Sequence, residues 1–96
     1  MQFEWHKGKS RANEAKHDLS FDLAIKAFED PFALFEFNGT VDGEDRYHVI
    51  GLLRGELVIL VVYTTLEEEA TNETYRIISA RKASKGERKR YAEAAH

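Results

Sequence analysis

The sequence predicts an α+β domain in which two N-terminal helices pack on an antiparallel sheet of three or four strands and a basic helix ends the chain. Three observations lead to this prediction. Apolar residues recur at i, i+3, i+4 and i+7 between Phe21 and Phe28, which is the spacing of an amphipathic helix. After Pro31 the pattern changes to short apolar and aromatic runs separated by turn dipeptides, as in strands. Ser84 and Glu87 have the capping-box spacing that opens a last helix.

The first third of the chain is predicted to hold a short edge strand and two helices. Phe3-Glu-Trp5 alternates apolar and polar residues, as an edge strand does. Lys7–His17 is rich in Ala, Lys and Glu, which favour a helix. Ser20 is predicted to cap the second helix, and Pro31 to end it because the proline ring cannot continue the helical hydrogen bonds.

The rest of the chain is predicted to form strands and one helix. The strands are expected at Phe32–Phe37, Arg46–Leu53, Glu56–Thr65 and Glu73–Arg81, and the helix at Lys85–Ala94. Turns or loops are expected between them at Asn38-Gly39, Asp42-Gly43, Arg54-Gly55 and Glu67–Asn72.

The charge of the chain is divided between two regions of opposite sign. From Thr74 to His96 there are seven Lys or Arg residues against two acids, whereas from Asp18 to Glu73 there are three against thirteen. A basic end on an acidic body suggests a site for a polyanion, most simply the phosphates of nucleic acid. The alternative is a solvated helical face without a partner.

Length and composition limit the remaining possibilities. The 96 residues are enough for one hydrophobic core, so we expect a single domain spanning 1–96. The chain has no cysteine and no apolar run near its N-terminus, which favours a cytoplasmic protein without a signal peptide. The longest apolar run, Leu57–Tyr63, is far shorter than the about 20 residues that cross a bilayer, so we expect no membrane association.

A set of short motifs in chain order carries a family resemblance. They are Phe3-Glu-Trp5, Lys9, Asn13, Lys16-His17, Phe21, Phe28–Pro31, Gly43–Arg46, Gly51, Val62-Tyr63, Arg76–Arg81 and Glu87-Arg88. Over about Phe3 to Tyr91 the chain thereby resembles the BrnT family, the toxins of a type II toxin–antitoxin module. Two features depart from the family. His6 stands where an acid is usual, and the net charge of −3 is acidic where many ribonuclease toxins are basic.

The resemblance implies a function as well as a RelE-like fold. It implies a ribonuclease that needs neither metal nor cofactor and that blocks translation by cutting RNA. It also implies a BrnA-like antitoxin as protein partner. Because that antitoxin carries a DNA-binding domain, the complex would contact operator DNA only through it.

Arg76 and Arg81 are the leading catalytic candidates. Metal-free RNA cleavage needs a base for the 2′-OH, an acid for the leaving oxygen, and cations for the charge that builds on the phosphate. A guanidinium suits the last role because it donates two hydrogen bonds and stays charged. Five positions separate the two arginines, so both serve one site only if the strand bends or ends near Ala80. The alternative is that one of them pairs with a carboxylate at the edge of the core.

His17 is the candidate for general acid or base, since histidine titrates near neutrality. Lys9, Asn13 and His17 follow at i, i+4 and i+8 and form one polar face of the first helix. The alternative for His17 is that it stabilises the C-terminus of that helix, where its charge complements the helix dipole.

The remaining candidates each have a structural alternative. Glu44 is a second candidate base and Arg46 a further catalytic candidate, but Glu44 and Arg46 can also form an ion pair that fixes their loop. Tyr63 can stack on an RNA base or lie in the core. RNA contacts are expected from Lys9 and Tyr63 and from the basic end, namely Lys82, Lys85, Arg88, Lys89 and Arg90. The other histidines share no metal-ligand spacing, so no metal site is predicted.

Two other functions remain open from the sequence. One is a catalytically weak BrnT-fold module that acts mainly through antitoxin or nucleic-acid binding, as the acidic stretch favours. The other is a nucleic-acid-binding domain without catalysis, whose affinity would fall with salt.

Overall fold

In the part of the chain that the structure describes, five strands form one sheet and three helices pack against it. The computed structural model describes residues 1–69 and 72–95. In chain order the elements are β1 (Gln2–Glu4), α1 (Lys7–His17), α2 (Phe21–Ala24) with a 3-10 continuation (Ile25–Glu29), β2 (Leu34–Val41), β3 (Glu44–Leu53), β4 (Leu57–Glu69), β5 (Asn72–Lys82) and α3 (Lys85–Ala94). The spatial order of the strands is β1-β5-β4-β3-β2. None of the described helices has the length and apolar character needed to cross a membrane.

The sheet is mixed, so the prediction of three or four antiparallel strands is only partly right. Strands β2 to β5 pair antiparallel in sequence order. The predicted edge strand exists, but β1 pairs in parallel with β5 and brings Gln2 opposite Thr74. The partners of this three-residue strand lie at the other end of the chain, so no local pattern specifies its direction.

The helices begin and end close to their predicted limits. The bounds predicted for α1 and α3 are confirmed. Ser20 caps α2, where its Oγ accepts a hydrogen bond from the Leu23 amide at 3.3 Å. In α3, Ser84 and Glu87 form the predicted capping box.

The second helix differs from the prediction because it tightens into a 3-10 segment after Ala24. Ala24 and Ala27 are both fully buried, three residues apart, as the 3-10 period of three requires. The segment also lies very close to β3. A Cβ added to Gly51 would be 2.6 Å from the Ala27 carbonyl oxygen, so glycine permits this contact.

Two predicted turns are confirmed and two other boundaries are wrong. Asp42-Gly43 and Arg54-Gly55 both have positive φ angles and connect antiparallel strands. Asn38-Gly39 is a bulge inside β2 rather than a turn, because the register with β3 shifts between Phe37 and Gly39. The predicted loop Glu67–Asn72 is wrong at both ends, since β4 runs to Glu69 and β5 begins at Asn72. Residues 70 and 71 of this range lie outside the described part of the chain.

The two faces of the sheet are covered differently. We call the face under α1, α2 and the 3-10 segment the inner face, and it holds the main core, whose buried residues from the sheet are Val49, Leu53, Ile59, Val61, Tyr63, Ile77 and Ala80. The opposite, outer face has a smaller core made by Ile50, Leu60, Ala83 and Tyr91, where α3 packs on the sheet. Helix α3 therefore covers only one end of the outer face.

Asp30 links the second helical segment, β3 and α3. Its carboxylate accepts hydrogen bonds from the Phe32 and Leu52 amides at 2.9 and 2.8 Å and from the Tyr91 hydroxyl. Burial raises the pKa of Asp30, but these three hydrogen bonds outweigh it, so the pKa is lowered overall. The same burial and the contact with Asp30 raise the pKa of Tyr91 to about 12. Asp30 thus holds the end of α3 on the sheet.

Candidate nucleic-acid interface and active site

Polar side chains cover the half of the outer face that α3 leaves open, and we call this half the polar face. They lie in two rows across the sheet. The first row is Glu4, Arg76, Thr64 and Arg46. The second is Ser79, His48 and Glu36, with the apolar Val62 between Ser79 and His48. Adjacent strands are about 5 Å apart, so the backbones of Arg76 and Arg46, two strands apart, are separated by about 10 Å. Their long side chains can reach one phosphate group between them.

A bulge in β5 brings Arg76 and Arg81 to the same face. Val62 pairs with Ser79 and Tyr63 with Ile77, which leaves Ile78 as an extra residue in β5. The bulge shifts the alternation of side chains by one position. The bend that the two arginines need in order to share a face is therefore present, although two residues before the predicted place.

Arg76 and Arg46 each pair with a neighbouring carboxylate. Arg76 Nε donates to Glu4 Oε1 at 2.9 Å, and both side chains are nearly half exposed. Arg46 Nε donates to Glu44 Oε1 at 3.4 Å, which agrees with the ion-pair alternative for these two residues. Exposed pairs of this kind contribute little to stability. Both arginines can consequently exchange a carboxylate for a phosphate at small cost.

Arg81 is held much more firmly, by α3. Its Nη1 and Nη2 donate to the two carboxylate oxygens of Glu87 at 2.7 and 2.9 Å. These hydrogen bonds lower the pKa of Glu87 to about 2 and raise that of Arg81. Arg81 fits the alternative of an arginine that pairs with a carboxylate at the edge of the core. Its contact with Glu87 joins the end of β5 to the first turn of α3.

The predicted polar face of α1 lies along the outer edge of β5. Asn13 is 8% exposed, and its side chain forms the hydrogen bonds to the backbone of β5 that a neighbouring strand would otherwise form. Its Nδ2 donates to the Ala80 and Leu19 carbonyls at 2.9 and 2.8 Å, and its Oδ1 accepts from the Ala80 amide at 3.1 Å. β1 is too short to reach Ala80, so the Asn13 side chain forms the hydrogen bonds that the backbone amide and carbonyl of Ala80 need.

Asn13 also separates the two candidates on either side of it. Lys9 lines a shallow depression with Arg76, whereas His17 lines a different one with Arg81 and Lys82. Lys9 is therefore grouped with Arg76 and His17 with Arg81, and the catalytic role of His17 stays a prediction. His17 does lie in the last turn of α1, as the alternative for this residue requires.

Tyr63 lies on the inner face and is only 5% exposed. Its ring stacks on Tyr47 with the centroids 5.9 Å apart, and burial raises its pKa to about 12. In this position it cannot stack on an RNA base. The structure matches the alternative that Tyr63 lies in the core. The prediction that Tyr63 contacts RNA is therefore corrected.

The basic end is exposed, but two of its arginines have protein partners. Arg88 Nη1 donates to the Ala83 carbonyl at 2.9 Å, and Arg90 Nη2 donates to Glu36 at 3.0 Å. Lys82, Lys85 and Lys89 are exposed and form no ion pair within the described part of the chain. These three lysines are the cations of the basic end that remain free for a polyanion.

His48 is a member of the polar face that sequence reasoning missed. It is 8% exposed, with Nε2 2.7 Å from Glu36 and Nδ1 2.8 Å from the Asn38 side chain. The hydrogen bond from Arg90, and then that from His48, lower the pKa of Glu36. Only the register between β2 and β3 brings these side chains together, so no spacing along the chain reveals the cluster. Since both ring nitrogens are engaged, His48 is well placed to orient Glu36 and Arg90.

Among the side chains that the structure describes, those of residues 1–66 and 73–95, no group of three His, Asp or Glu is placed to share a metal ion.

Comparisons with known proteins identify the family. The family model of the ribonuclease toxin BrnT of type II toxin–antitoxin systems matches residues 5–87. The 1.1 Å crystal structure of the Brucella abortus ribonuclease toxin BrnT superposes with a TM-score of 0.64 at 30% identity, and the match covers 88% of this chain and 99% of that one. No curated protein sequence matches. The matched range includes β2 to β5, α1 and the start of α3, and so nearly the whole polar face. The chain belongs to the BrnT family of ribonuclease toxins of type II toxin–antitoxin systems.

Proposed function

We propose that this toxin is a metal-independent endoribonuclease that cuts RNA on the polar face, inhibits translation in the cytoplasm, and is neutralised by a BrnA-like DNA-binding antitoxin. The observation that carries the proposal is the pair Arg76 and Arg46. They are partly exposed cations two strands apart on an open sheet, and each has a carboxylate beside it. These groups supply the cations and the base that phosphodiester cleavage without a metal requires.

In the proposed reaction the RNA supplies its own nucleophile. The 2′-oxygen forms a bond to the adjacent phosphorus, and the bond from phosphorus to the 5′-oxygen breaks. Negative charge builds on the two non-bridging oxygens, and Arg76 and Arg46 stabilise it by charge-assisted hydrogen bonds. The leaving 5′-oxygen takes a proton from water, so the products are a cyclic phosphate and a 5′-hydroxyl end.

We assign the proton of the 2′-OH to one of the two carboxylates, Glu4 or Glu44. Each already accepts a hydrogen bond from its arginine, which orients the carboxylate. When a phosphate replaces the carboxylate on the guanidinium, the carboxylate is released within reach of the ribose. The variants Glu4→Gln and Glu44→Gln distinguish the two, because only loss of the base slows the chemical step.

The flanking RNA is proposed to run past α3. Lys82, Lys85 and Lys89 contact its phosphates, and the depression that Lys82 shares with His17 extends this path. In this scheme Arg81 is a positioning residue, since it fixes α3 through Glu87. The exposed lysines add affinity that depends on salt and add little to the rate of cleavage at saturating RNA.

The test is the cleavage kinetics of single variants. Arg76→Ala and Arg46→Ala should each lower kcat/KM about 100-fold or more, as removal of a group that stabilises charge in a transition state does. Lys89→Ala, an exposed cation of the same charge on α3, is the matched control and should lower it less than tenfold. Equal losses in all three variants would contradict the assignment of the site.

One observation favours the alternative of a catalytically weak module. Glu4 and Glu44 pair with Arg76 and Arg46 of the polar face, and Glu36 pairs with Arg90 of α3, so acids neutralise these three arginines. If this neutralisation prevails, the native chain will bind RNA weakly and leave it intact, and the antitoxin interaction will be its main activity. Cleavage by the native chain that is lost in Arg76→Ala would exclude this alternative.

A further inference from the structure

The outermost strand, β2, presents aromatic side chains to solvent on the inner face of the sheet. Phe35 and Phe37 are 50% and 61% exposed, and Phe32, just before the strand, is 57% exposed. Large apolar side chains clustered on one edge are unusual on the surface of a small protein and mark interaction sites. We call Phe32, Phe35 and Phe37 the aromatic edge.

The aromatic edge is a continuation of the core. Phe28, at the end of the 3-10 segment, contacts Phe35 with ring centroids 6.1 Å apart. Phe37 contacts Tyr47 at 5.7 Å, and Tyr47 stacks on the buried Tyr63. The helices thus cover the inner face as far as Phe28 and leave the next aromatic rings uncovered. An additional element packed beside β2 would complete this layer.

The backbone of β2 can receive such an element. β2 is the last strand of the sheet, so among the described residues no strand pairs with its outer edge. The bulge at Asn38 interrupts the regular strand, which limits continuous pairing to Leu34–Phe37. A partner segment of about four to five residues in extended conformation therefore fits this edge.

The charge around the aromatic edge indicates the chemistry of the partner. From Ala27 to Leu53 there are six acids and one Lys or Arg, and that residue, Arg46, is paired with Glu44. Exposed Glu29, Asp42 and Asp45 flank the strand. A second copy of this chain would bring another acidic hairpin against this one, and like charges would oppose. A partner strand with basic residues beside its apolar ones has the complementary charge.

We propose that the aromatic edge and the outer edge of β2 are the docking site for an extended segment of the protein antitoxin, in which apolar residues alternate with Lys or Arg. This inference rests on the toxin function only for the identity of the partner. The site lies on the opposite face of the sheet from Arg76. The segment added there leaves the polar face open, and a separate part of the antitoxin must cover it.

The test uses the protein encoded by the reading frame next to the toxin gene, and it measures the dissociation constant of the purified pair by calorimetry. Phe35→Ser/Phe37→Ser should weaken binding at least tenfold, because it removes the two aromatic anchors. The neutralising variant Glu29→Gln/Asp42→Asn should weaken binding more than Glu14→Gln/Glu93→Gln, which removes the same charge at exposed sites elsewhere. In the complex the amides of Leu34–Phe37 should exchange more slowly with solvent than in the free chain.

Circular dichroism and RNA cleavage serve as controls for the fold of the aromatic variant, whose cleavage should match that of the native chain. Binding within twofold of the native value, or no binding of that protein by the native chain, would overturn the inference. So would a dimer of the free chain that is lost in Phe35→Ser/Phe37→Ser while partner binding is unchanged, because a second copy would then occupy the edge. Failure of the toxin function itself would appear differently, as a native chain that binds its partner but does not cut RNA.

Discussion

The contact between Arg81 and Glu87 should stabilise the protein in a way that depends on pH, and Glu87→Gln tests this. Hydrogen bonds from Arg81 lower the pKa of Glu87 from its usual 4.5 to about 2. A shift of this size corresponds to at most about 3 kcal/mol. Because the Arg81 side chain is 41% exposed, solvent screens part of the interaction, and we expect about 1–2 kcal/mol at pH 7.

The pH dependence follows from the lowered pKa of Glu87. The folded state keeps Glu87 ionised more strongly than the unfolded state, so the stabilisation is fully present above about pH 4.5 and is lost as the pH falls towards 2. Urea denaturation of the native chain and of Glu87→Gln at pH 7, 4 and 2.5 measures the difference. The other carboxylates titrate in both proteins, so their contributions to the difference in unfolding free energy cancel. A difference below 0.5 kcal/mol at pH 7, or one that does not shrink between pH 4 and 2.5, would refute this reasoning.

Two further substitutions test how the helices are held on the sheet. Asn13→Ala should lower the free energy of unfolding by about 2 kcal/mol, because it leaves the buried amide and carbonyl of Ala80 without partners; a loss below 0.5 kcal/mol in thermal denaturation would contradict this role. Gly51→Ala should cost about 1–3 kcal/mol, since the new Cβ would lie 2.6 Å from the Ala27 carbonyl oxygen. Gly86→Ala, where α3 has open space, is the matched control and should be neutral or stabilise by up to about 1 kcal/mol; equal losses in both variants would show that packing at Gly51 is not the cause.

Much of the fold could be predicted because local signals specify it. The bounds of α3 follow from the capping box at Ser84, and those of α1 from its composition. The turn dipeptides with positive φ angles located the β3–β4 hairpin. The signals failed where partners distant in the sequence decide the outcome. Asn38-Gly39 reads as a turn but is a bulge, because β3 holds the strand on both sides of it.

The candidate site could be predicted only in part, for the same reason. Arg76 and Arg46 lie in two of the motifs that the chain shares with the family, so both could be named as catalytic candidates from the sequence. The bulge at Ile78, which decides that Arg76 and Arg81 share a face, arises from the register between β4 and β5. The partners of Arg81 and of His48 could likewise not be predicted, since β5 meets α3 and β2 meets β3 only in the folded chain. Residue types were thus predictable, and their grouping was not.

The most direct test of the central claim is cleavage of a short RNA by the purified chain in EDTA, beside the same RNA with a 2′-deoxy nucleotide at the cleaved position. We expect cleavage of the RNA in EDTA to a cyclic phosphate and a 5′-hydroxyl end, no cleavage at the deoxy position, and loss of both products in Arg46→Ala/Arg76→Ala. Cleavage that requires a divalent metal, cleavage at the deoxy position, or no cleavage of the RNA by the native chain would contradict it.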